Sequence, residues 1–359
     1  METTIQLSIS LVSAYIIAVM IIPTLKKVAV KVNLTDKPNS RKLHVTPVPL
    51  IGGIAIAITL TIVSAVNYSF LPLATQPLIF SACSLSLLLL GVVDDKLDIS
   101  AKYKLLFQLL CSFIISYSGT RVTSLYGFFG VYEIPLHAQY ILTMLLITGV
   151  VNAFNLMDGI DGLIGSLGII GFTLLGIFSF VTNNYALSSV CVVSIGALVG
   201  FLKFNLKKEK IFMGDAGSLF IGNMLICSGI YLLNSLDTSA AIHSTFLYSI
   251  VGFFALPVLD SIRVYLGRIK KGNSPFSADK SHLHHLLLLL GLSHKQISIV
   301  VSIIILITLT LTSFFVNNMS LEVYLLTLVS AFSLMGFVLN LNKKVSTWTE
   351  QLKDLERQC

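Results

Sequence analysis

Three short segments carry the acids of this chain that could do chemistry. Asp94 and Asp95 lie in "GVVDDKLDIS", Asp158 and Asp161 lie in "NAFNLMDGIDGL", and Asp215 lies in "FMGDAGSLFIG". Apolar runs flank all three segments, in a chain that is 55% hydrophobic and only 11% charged. Acids at the edge of a membrane span are functional candidates because an apolar environment makes them costly. Two adjacent carboxylates also repel each other, which favours a cation beside them.

Asp215 stands at the start of a predicted helix. Gly214 precedes it, and residues 216–218 are all small. Small side chains leave room for phosphate, and the free N–H groups of a helix start attract it. Mg²⁺ is typically held by one or two carboxylates together with substrate phosphate oxygens. The segment therefore predicts a Mg²⁺ ion that Asp215 shares with phosphate.

The segment "NAFNLMDGIDGL" repeats polar residues every third position. Asn155, Asp158 and Asp161 would share one face if the segment were helical. Gly159 and Gly162 would let a flat ligand approach the backbone. The alternative is a polar helix end at which Asn and Asp act only as caps.

The segment "DKPNSRKLHVTPVPLIGG" is the first basic connection of the chain. Its basic and histidine residues are Arg41, Lys42 and His44. One hypothesis is a clamp for phosphate charge. The other is a connection whose positive charge only orients the protein in the membrane.

A histidine cluster occupies the last large connection, "GNSPFSADKSHLHHLLLLLG". It contains His282, His284 and His285. Zinc is disfavoured because the segment has no cysteine and no HExxH spacing. The pattern favours polar groups that contact phosphate or orient the acids.

Membrane helices are the predicted secondary structure around these residues. A span needs about 20 mostly apolar residues, and about eleven segments qualify: 5–25, 50–67, 75–93, 104–120, 138–154, 162–181, 185–203, 217–234, 241–266, 296–316 and 321–341. The fold class is therefore an all-α, polytopic integral membrane protein. Residues 1–341 are predicted to form one domain with its active site on cytoplasmic connections, and residues 342–359 a short amphipathic cytoplasmic tail.

The basic residues predict the orientation of the protein in the membrane. Every Lys and Arg except Arg121 falls on one side of the predicted spans or in the tail. The positive-inside rule then places the N-terminus outside and the C-terminus in the cytoplasm. The net charge of +7 is thus interpreted as a topology signal and not as a nucleic-acid surface. The first span has no basic residue before it, so we expect it to be retained and not cleaved as a signal peptide.

These segments together resemble the polyprenyl-phosphate N-acetylhexosamine-1-phosphate transferases, from about Asp36 to His285. The matching strings, in family order, are "DKPNSRKLH…P…GG", "DD", "NAFNLMDGIDGL", "FMGDAGSL" and "SPF…D…HLHH". The "HLHH" string and the eleven predicted spans are similar to the bacterial branch that uses UDP-GlcNAc and undecaprenyl phosphate. The branch that uses UDP-MurNAc-pentapeptide typically has ten spans and another histidine string.

The resemblance implies a reaction at the cytoplasmic edge of the bacterial inner membrane. The phosphate of undecaprenyl phosphate would attack the β-phosphorus of UDP-GlcNAc, and UMP would leave. Asp215 would be the main ligand of Mg²⁺, with Mn²⁺ as an alternative ion. Asp94 and Asp95 would lie beside the lipid phosphate, where one of them deprotonates it or helps to hold the metal; Asp94 is the second expected metal ligand.

The resemblance also implies which residues contact the nucleotide sugar. Asn155, Asp158 and Asp161 match positions that line its pocket, and Asn205 and Phe212 match positions near uracil. The expected catalytic set is Asp94, Asp95, Asp158, Asp161 and His282. The remaining expected contacts to phosphate or sugar are Arg41, Lys42, His44, His284 and His285. Relatives are often dimers, so a homodimer is a further expectation.

Two alternatives remain open from the sequence. The same chemistry could use another UDP-N-acetylhexosamine or UDP-MurNAc-pentapeptide. A different class, an ion-coupled transporter, could use Asp94, Asp158 and Asp215 as cation sites. Transporters usually hold such acids near the bilayer midplane, often within inverted repeats. Here the acids lie at the ends of predicted spans and no repeat is evident, which favours the enzyme.

Overall fold

The computed structural model describes residues 2–36, 47–66, 75–274 and 281–358, with side chains described as far as residue 342. The helices are α1 (Glu2–Lys31), α2 (Gly52–Val66), α3 (Thr75–Leu97), α4 (Ala101–Tyr117), α5 (Leu136–Met157), α6 (Leu163–Val181), α7 (Tyr185–Asn205), α8 (Gly214–Ser235), α9 (Ala241–Lys270), α10 (Leu283–Leu289), α11 (His294–Asn318) and α12 (Leu321–Gln358). The strands are β1 (Thr35–Asp36), β2 (Val48–Pro49), β3 (Ser124–Phe128) and β4 (Val131–Glu133). The described chain is therefore almost wholly helical.

Nine helices in the described part of the chain are long and apolar enough to cross a membrane. They are α1, α3, α5, α6, α7, α8, α9, α11 and the Leu321–Asn342 part of α12. Helices α2 and α4 also lie where spans are expected, but they contain only 15 and 17 residues. A typical span has about 20 residues. The all-α, polytopic membrane class is borne out, and the count of eleven spans stays a prediction.

Helix α8 lies at the centre of the bundle. Nearly all of its residues are buried, and it packs against α2, α3, α5 and α6. Two glycines allow close approach to its first turn. A Cβ at Gly53 would overlap the backbone of Gly217, and a Cβ at Gly91 would overlap the backbone of Ala216. The C-terminal end of α3, with its acids, therefore reaches the first turn of α8.

Backbone hydrogen bonds join the start of α2 to the start of α8. Phe212 donates its N–H to the carbonyl of Pro49 at 2.9 Å, and Gly52 donates to the carbonyl of Phe212 at 2.9 Å. Strand β2, which contains Pro49, pairs antiparallel with β1. The bond from Gly52 satisfies one of the N–H groups that the start of α2 leaves without a partner inside the helix. Periodicity of apolar residues did not indicate these short strands.

The last helix runs through the boundary that the sequence predicts at residue 342. Helix α12 continues from Leu321 to Gln358 without a break. Its apolar part ends at Asn342, so the change from span to tail is one of composition. The separate tail stays a prediction, because the helix itself does not mark the boundary.

Candidate active site

One cavity of about 660 Å³ collects the acids of all three segments. The sequence-predicted residues that line it are Asp94, Asp95, Asp158, Asp161, Asn205, Phe212, Asp215 and His285. Four basic or histidine residues that the motifs did not single out also line it: Lys96, Lys104, Lys210 and His294. The ends of α3, α5 and α7 and the starts of α8 and α11 thus meet around one space.

Lys104 bridges two of the acids. Its Nζ lies 2.6 Å from Asp94 Oδ2 and 3.3 Å from Asp215 Oδ2. The other carboxylate oxygen of Asp94 accepts a hydrogen bond from the N–H of Ile99 at 2.8 Å. Asp94 is only 7% exposed, so its charge requires a close partner. The two acids expected to hold a metal therefore already share one positive charge.

Asp95 has a different task from its neighbour Asp94. Its Oδ1 accepts the N–H of Asp215 at 2.9 Å, and its Oδ2 accepts the N–H of Ala216 at 3.4 Å. These are backbone donors of the first turn of α8, so Asp95 caps that helix from another element. Gly214 has a φ of +73°, and a Cβ there would lie 2.5 Å from Asp95 Oδ2. Asp95 and Gly214 together determine where Asp215 stands.

The prediction that Asn155, Asp158 and Asp161 share one helical face is wrong. Helix α5 ends just before Asp158, whose φ and ψ are −80° and 63°. Asp161 lies in the following turn, which ends at Gly162 with a φ of +83°. Two Asp-Gly pairs favour a turn over a continued helix. Asn155, still on α5, donates to Ser218 Oγ at 3.0 Å and so ties α5 to α8.

Asp158 experiences a strongly negative environment. Burial first, and then the carboxylates of Asp215, Asp95 and Asp161, raise its pKa well above the usual range. Like charges held together in a partly dry space disfavour ionisation of each member. A cation in this space would reverse that effect. The electrostatics of the cavity therefore favour a positively charged ligand or ion.

Asp161 lies in a second part of the cavity, where basic side chains balance its negative charge. Its Oδ2 is 2.7 Å from Lys210 Nζ and 3.3 Å from His294 Nδ1. Burial alone would raise the pKa of this carboxyl, but its hydrogen bonds to His294 and Lys210 outweigh burial and lower the pKa. Asp161 thus stays ionised. His294 comes from the start of α11, far away in sequence, and no local motif marks it.

Asn205 and Phe212 form a wall beside this pair of charges. The side chain of Asn205 accepts the N–H of Gly162 at 2.6 Å and donates to the carbonyl of Ile211 at 2.7 Å. Lys210 Nζ lies 4.9 Å from the centre of the Phe212 ring, within cation–π range. Asn205 therefore shapes the cavity by holding backbone, while Phe212 offers an aromatic face.

The three histidines have unequal positions. His285 lines the cavity, whereas His282 and His284 are not among the described residues that line it. Both are buried, at 4% and 2% exposure. Burial, followed by the neighbouring His285 and His282, lowers the pKa of His284 to about 3. His284 is therefore neutral at physiological pH, which does not suit a cationic clamp for phosphate.

The predicted phosphate clamp cannot be located in the same way. Arg41, Lys42 and His44 lie outside the described residues. The described residues on either side of that segment do reach the site, because Asp36 and Leu50 both line the cavity. The roles assigned to the three basic and histidine residues stay predictions.

The donor set fits a metal that is held together with a substrate. Among the described residues, no group of three or more His, Cys, Asp or Glu side chains is arranged to hold an ion. Asp94 and Asp215 nevertheless both lie within 3.3 Å of one cationic nitrogen. Mg²⁺ usually takes one or two carboxylates and completes its shell with water and phosphate oxygens. Two carboxylates that face a polar cavity match this coordination preference of Mg²⁺.

Comparison with known proteins gives a consistent set of relatives. The profile described as glycosyl transferase family 4 matches residues 77–233, which include the five candidate acids of the three motif segments. The chain is 30% identical to the undecaprenyl-phosphate alpha-N-acetylglucosaminyl 1-phosphate transferase of Salmonella typhi over 96% of this chain and 94% of that protein. The protein of the same name from Escherichia coli (strain K12) gives the same identity and coverage. The probable undecaprenyl-phosphate N-acetylglucosaminyl 1-phosphate transferase of Bacillus subtilis (strain 168) is 31% identical over 84% of this chain and 83% of its own length.

Proposed function

We propose that this chain, which belongs to glycosyl transferase family 4, transfers GlcNAc-1-phosphate from UDP-GlcNAc to undecaprenyl phosphate. An oxygen of the lipid phosphate bonds to the β-phosphorus, the bond from that phosphorus to UMP breaks, and UMP leaves. The names of the three relatives describe this transfer to undecaprenyl phosphate. This transfer would be the first step in the synthesis of a cell-surface polysaccharide.

The observation that carries this proposal is the single cavity that joins all three acidic segments. Its walls combine seven carboxylates, including the five candidate acids of the three segments, with Lys104, Lys210 and the aromatic ring of Phe212. Phosphoryl transfer depends mainly on alignment and on neutralising the charge of the phosphate oxygens. Two anionic phosphates must also approach each other, so balanced charges at short range are what the reaction requires.

The acid-rich part of the cavity suits the reacting phosphates. Asp215 and Asp94 would hold Mg²⁺, or Mn²⁺, together with phosphate oxygens, and the ion would neutralise charge that develops on the transferred group. Asp95 acts here by capping α8, which keeps Asp215 in place. Lys104 is close enough to exchange a carboxylate partner for a phosphate oxygen. These assignments support a charge-balancing mechanism in which no protein side chain needs to become phosphorylated.

The opposite part of the cavity suits the nucleotide. Phe212 provides a flat aromatic surface for stacking, and Lys210 and His294 lie beside it with Asp161. Asp158 interacts electrostatically with Asp161 of this part and with Asp95 and Asp215 of the acid-rich part. UDP-GlcNAc would therefore extend from Phe212 towards Asp215, with its diphosphate near the metal.

The membrane arrangement follows from charge and from the lipid substrate. One substrate is a polyprenyl phosphate and the other is soluble, so their meeting point must lie at a membrane edge. The distribution of Lys and Arg supports a cytoplasmic position for that edge. We accordingly propose an enzyme of the bacterial inner membrane with eleven spans, its N-terminus outside and its cavity open to the cytoplasm. A homodimer is part of the same proposal.

The decisive test uses the purified full-length protein in lipid vesicles. UDP-GlcNAc, undecaprenyl phosphate and Mg²⁺ together should release UMP, and omission of any one of the three should stop the release. A panel of UDP-GlcNAc, UDP-GalNAc and UDP-MurNAc-pentapeptide should show preference for the first. A folded protein that releases no UMP with any of these donors would refute the proposed reaction. Turnover with another donor alone would refute only the choice of sugar.

A further inference from the structure

A fully buried carboxylate on α9 lies outside the described cavity. Asp260 has 0% exposure and is not among the cavity-lining residues. Helix α9 qualifies as a membrane span, where an acid is costly and usually serves a function. Neither the acidic motifs nor the proposed reaction uses this residue.

Asp260 binds the start of α10 with both of its oxygens. Oδ1 and Oδ2 lie 3.0 and 3.2 Å from the N–H of Leu283. Oδ2 also lies 2.9 Å from His282 Nδ1. Charge-assisted bonds of this kind are stronger than neutral ones. A carboxylate on a spanning helix thus holds the first residues of a helix that borders the cavity.

Arg263 completes the attachment. Its Nη2 lies 2.7 Å from Asp260 Oδ1 and donates to the carbonyl of Ser281 at 2.6 Å. Arg263 therefore neutralises the buried acid and binds the backbone just before His282. Three consecutive residues, 281–283, are held by one ion pair on α9.

The held segment reaches the site through its next residues. His284 Nε2 would lie 3.0 Å from a Cβ added at Gly159, so the imidazole packs directly on the loop that carries Asp158 and Asp161. His285 and Leu288 line the cavity. Any shift of α10 would move this wall relative to the loop of Asp158.

We propose that Asp260 is a positioning residue for nucleotide-sugar binding: it holds α10 so that His284 and His285 meet the loop of Asp158 and Asp161. The inference rests on the proposed function for its assay. Asp260 itself touches no substrate. Its effect should therefore appear in the KM for UDP-GlcNAc, through α10, and not in the affinity for the lipid or in the chemical step.

The test compares Asp260→Asn with wild type and with Asp237→Asn. Asn keeps the shape but loses the charge and one acceptor. The KM for UDP-GlcNAc should rise about tenfold, as expected for loss of a charge-assisted hydrogen bond. The kcat and the KM for undecaprenyl phosphate should stay within about twofold, because a change of α10 alone leaves the acids of α3 and α8 in place. Asp237 is exposed and does not line the cavity, so its variant should match wild type.

A double-mutant cycle with His284→Ala tests whether α10 mediates the effect. The two changes should raise the KM for UDP-GlcNAc less in combination than the product of their separate effects, because both release the same wall. Multiplicative effects would overturn the proposal. So would an unchanged KM in a folded Asp260→Asn protein, or a fall in kcat with both KM values unchanged.

Arg263→Gln keeps the inference testable if Asp260→Asn fails to fold. It removes the partner of Asp260 and the link to Ser281 while leaving the carboxylate, and it should also raise the KM for UDP-GlcNAc selectively. An unchanged KM in folded Arg263→Gln would overturn the proposal in that case. Failure of the wild type to release UMP would count against the proposed function instead, which separates the two failures.

Discussion

Lys104 is the residue whose replacement most sharply tests the electrostatic reasoning. Its ammonium bridges Asp94 and Asp215 at 2.6 and 3.3 Å, the same two carboxylates that are proposed to hold Mg²⁺. Replacement by Gln keeps most of the side-chain length and removes the charge. Lys and metal would compete for the carboxylates in the resting protein, yet both would be needed when the phosphates are present.

The size of the effect follows from these distances. Two unit charges 4 Å apart attract by about 4 kcal/mol at an effective dielectric constant of about 20. The Lys104 side chain is 23% exposed and that of Asp215 is 32% exposed, so solvent screens part of this. A net contribution of about 1.5–3 kcal/mol, typical of hydrogen bonds to charged groups, corresponds to about a 10- to 100-fold fall in kcat.

The assay is UMP release by Lys104→Gln as a function of Mg²⁺ concentration. The kcat should fall by about 10- to 100-fold, while the Mg²⁺ concentration for half-maximal rate should decrease, because the carboxylates lose their internal competitor. Lys102→Gln is the matched control, since Lys102 is an exposed lysine in the same turn of α4. A Lys104→Gln enzyme with wild-type kcat, or one that needs more Mg²⁺, would contradict this role for Lys104.

Three further predictions concern the acids. Asp215→Asn should reduce UMP release by about 10²-fold or more with little change in thermal stability. Asp95→Ala should instead lower the free energy of unfolding by about 1 kcal/mol, because α8 loses its cap. Equal stability of the two variants would contradict the distinct roles of these acids. Asp158→Asn should lower activity but raise the melting temperature at pH 7 without Mg²⁺. The melting temperature should rise because the pKa of Asp158 is raised, so its ionisation opposes folding. A lower melting temperature would contradict this prediction. Asp161 has a lowered pKa, so its stabilising effect is present above the unfolded value of about 3.9 and is lost as pH falls through the lower folded value. The difference in melting temperature between wild type and Asp161→Asn should therefore shrink below about pH 4, and a difference that grows there would show that the pairs with Lys210 and His294 are not stabilising.

The charged cavity also discriminates against the transporter alternative. The acids lie at helix ends and in connections, together with Lys104 and Lys210, which already balance part of their charge. A cation pathway would need acids that can release their ion to either side of the membrane. Flux of cations into vesicles without UMP release is the result that would restore that hypothesis.

The class of fold and the main acids of the site could be predicted from composition and residue patterns. Long apolar runs can satisfy their backbone in a membrane only as helices or closed barrels, so composition and length were enough to predict membrane helices. Acids at the ends of those runs were similarly visible, since Asp94, Asp158 and Asp215 contrast with everything around them. That these acids share one cavity was an inference from topology and motif order.

The contacts of each acid, in contrast, depend on how the helices pack. Asp94 and Asp95 are adjacent in sequence, yet one pairs with Lys104 and the other caps α8, because successive side chains on a helix point in different directions. Asp161 does not lie on the expected helical face, because α5 ends at Met157, just before two Asp-Gly pairs. His294 joins Asp161 from 133 positions away, and Asp260 reaches His282 from a neighbouring span. Contacts between distant segments depend on helix packing, and a local pattern carries no information about which helices meet.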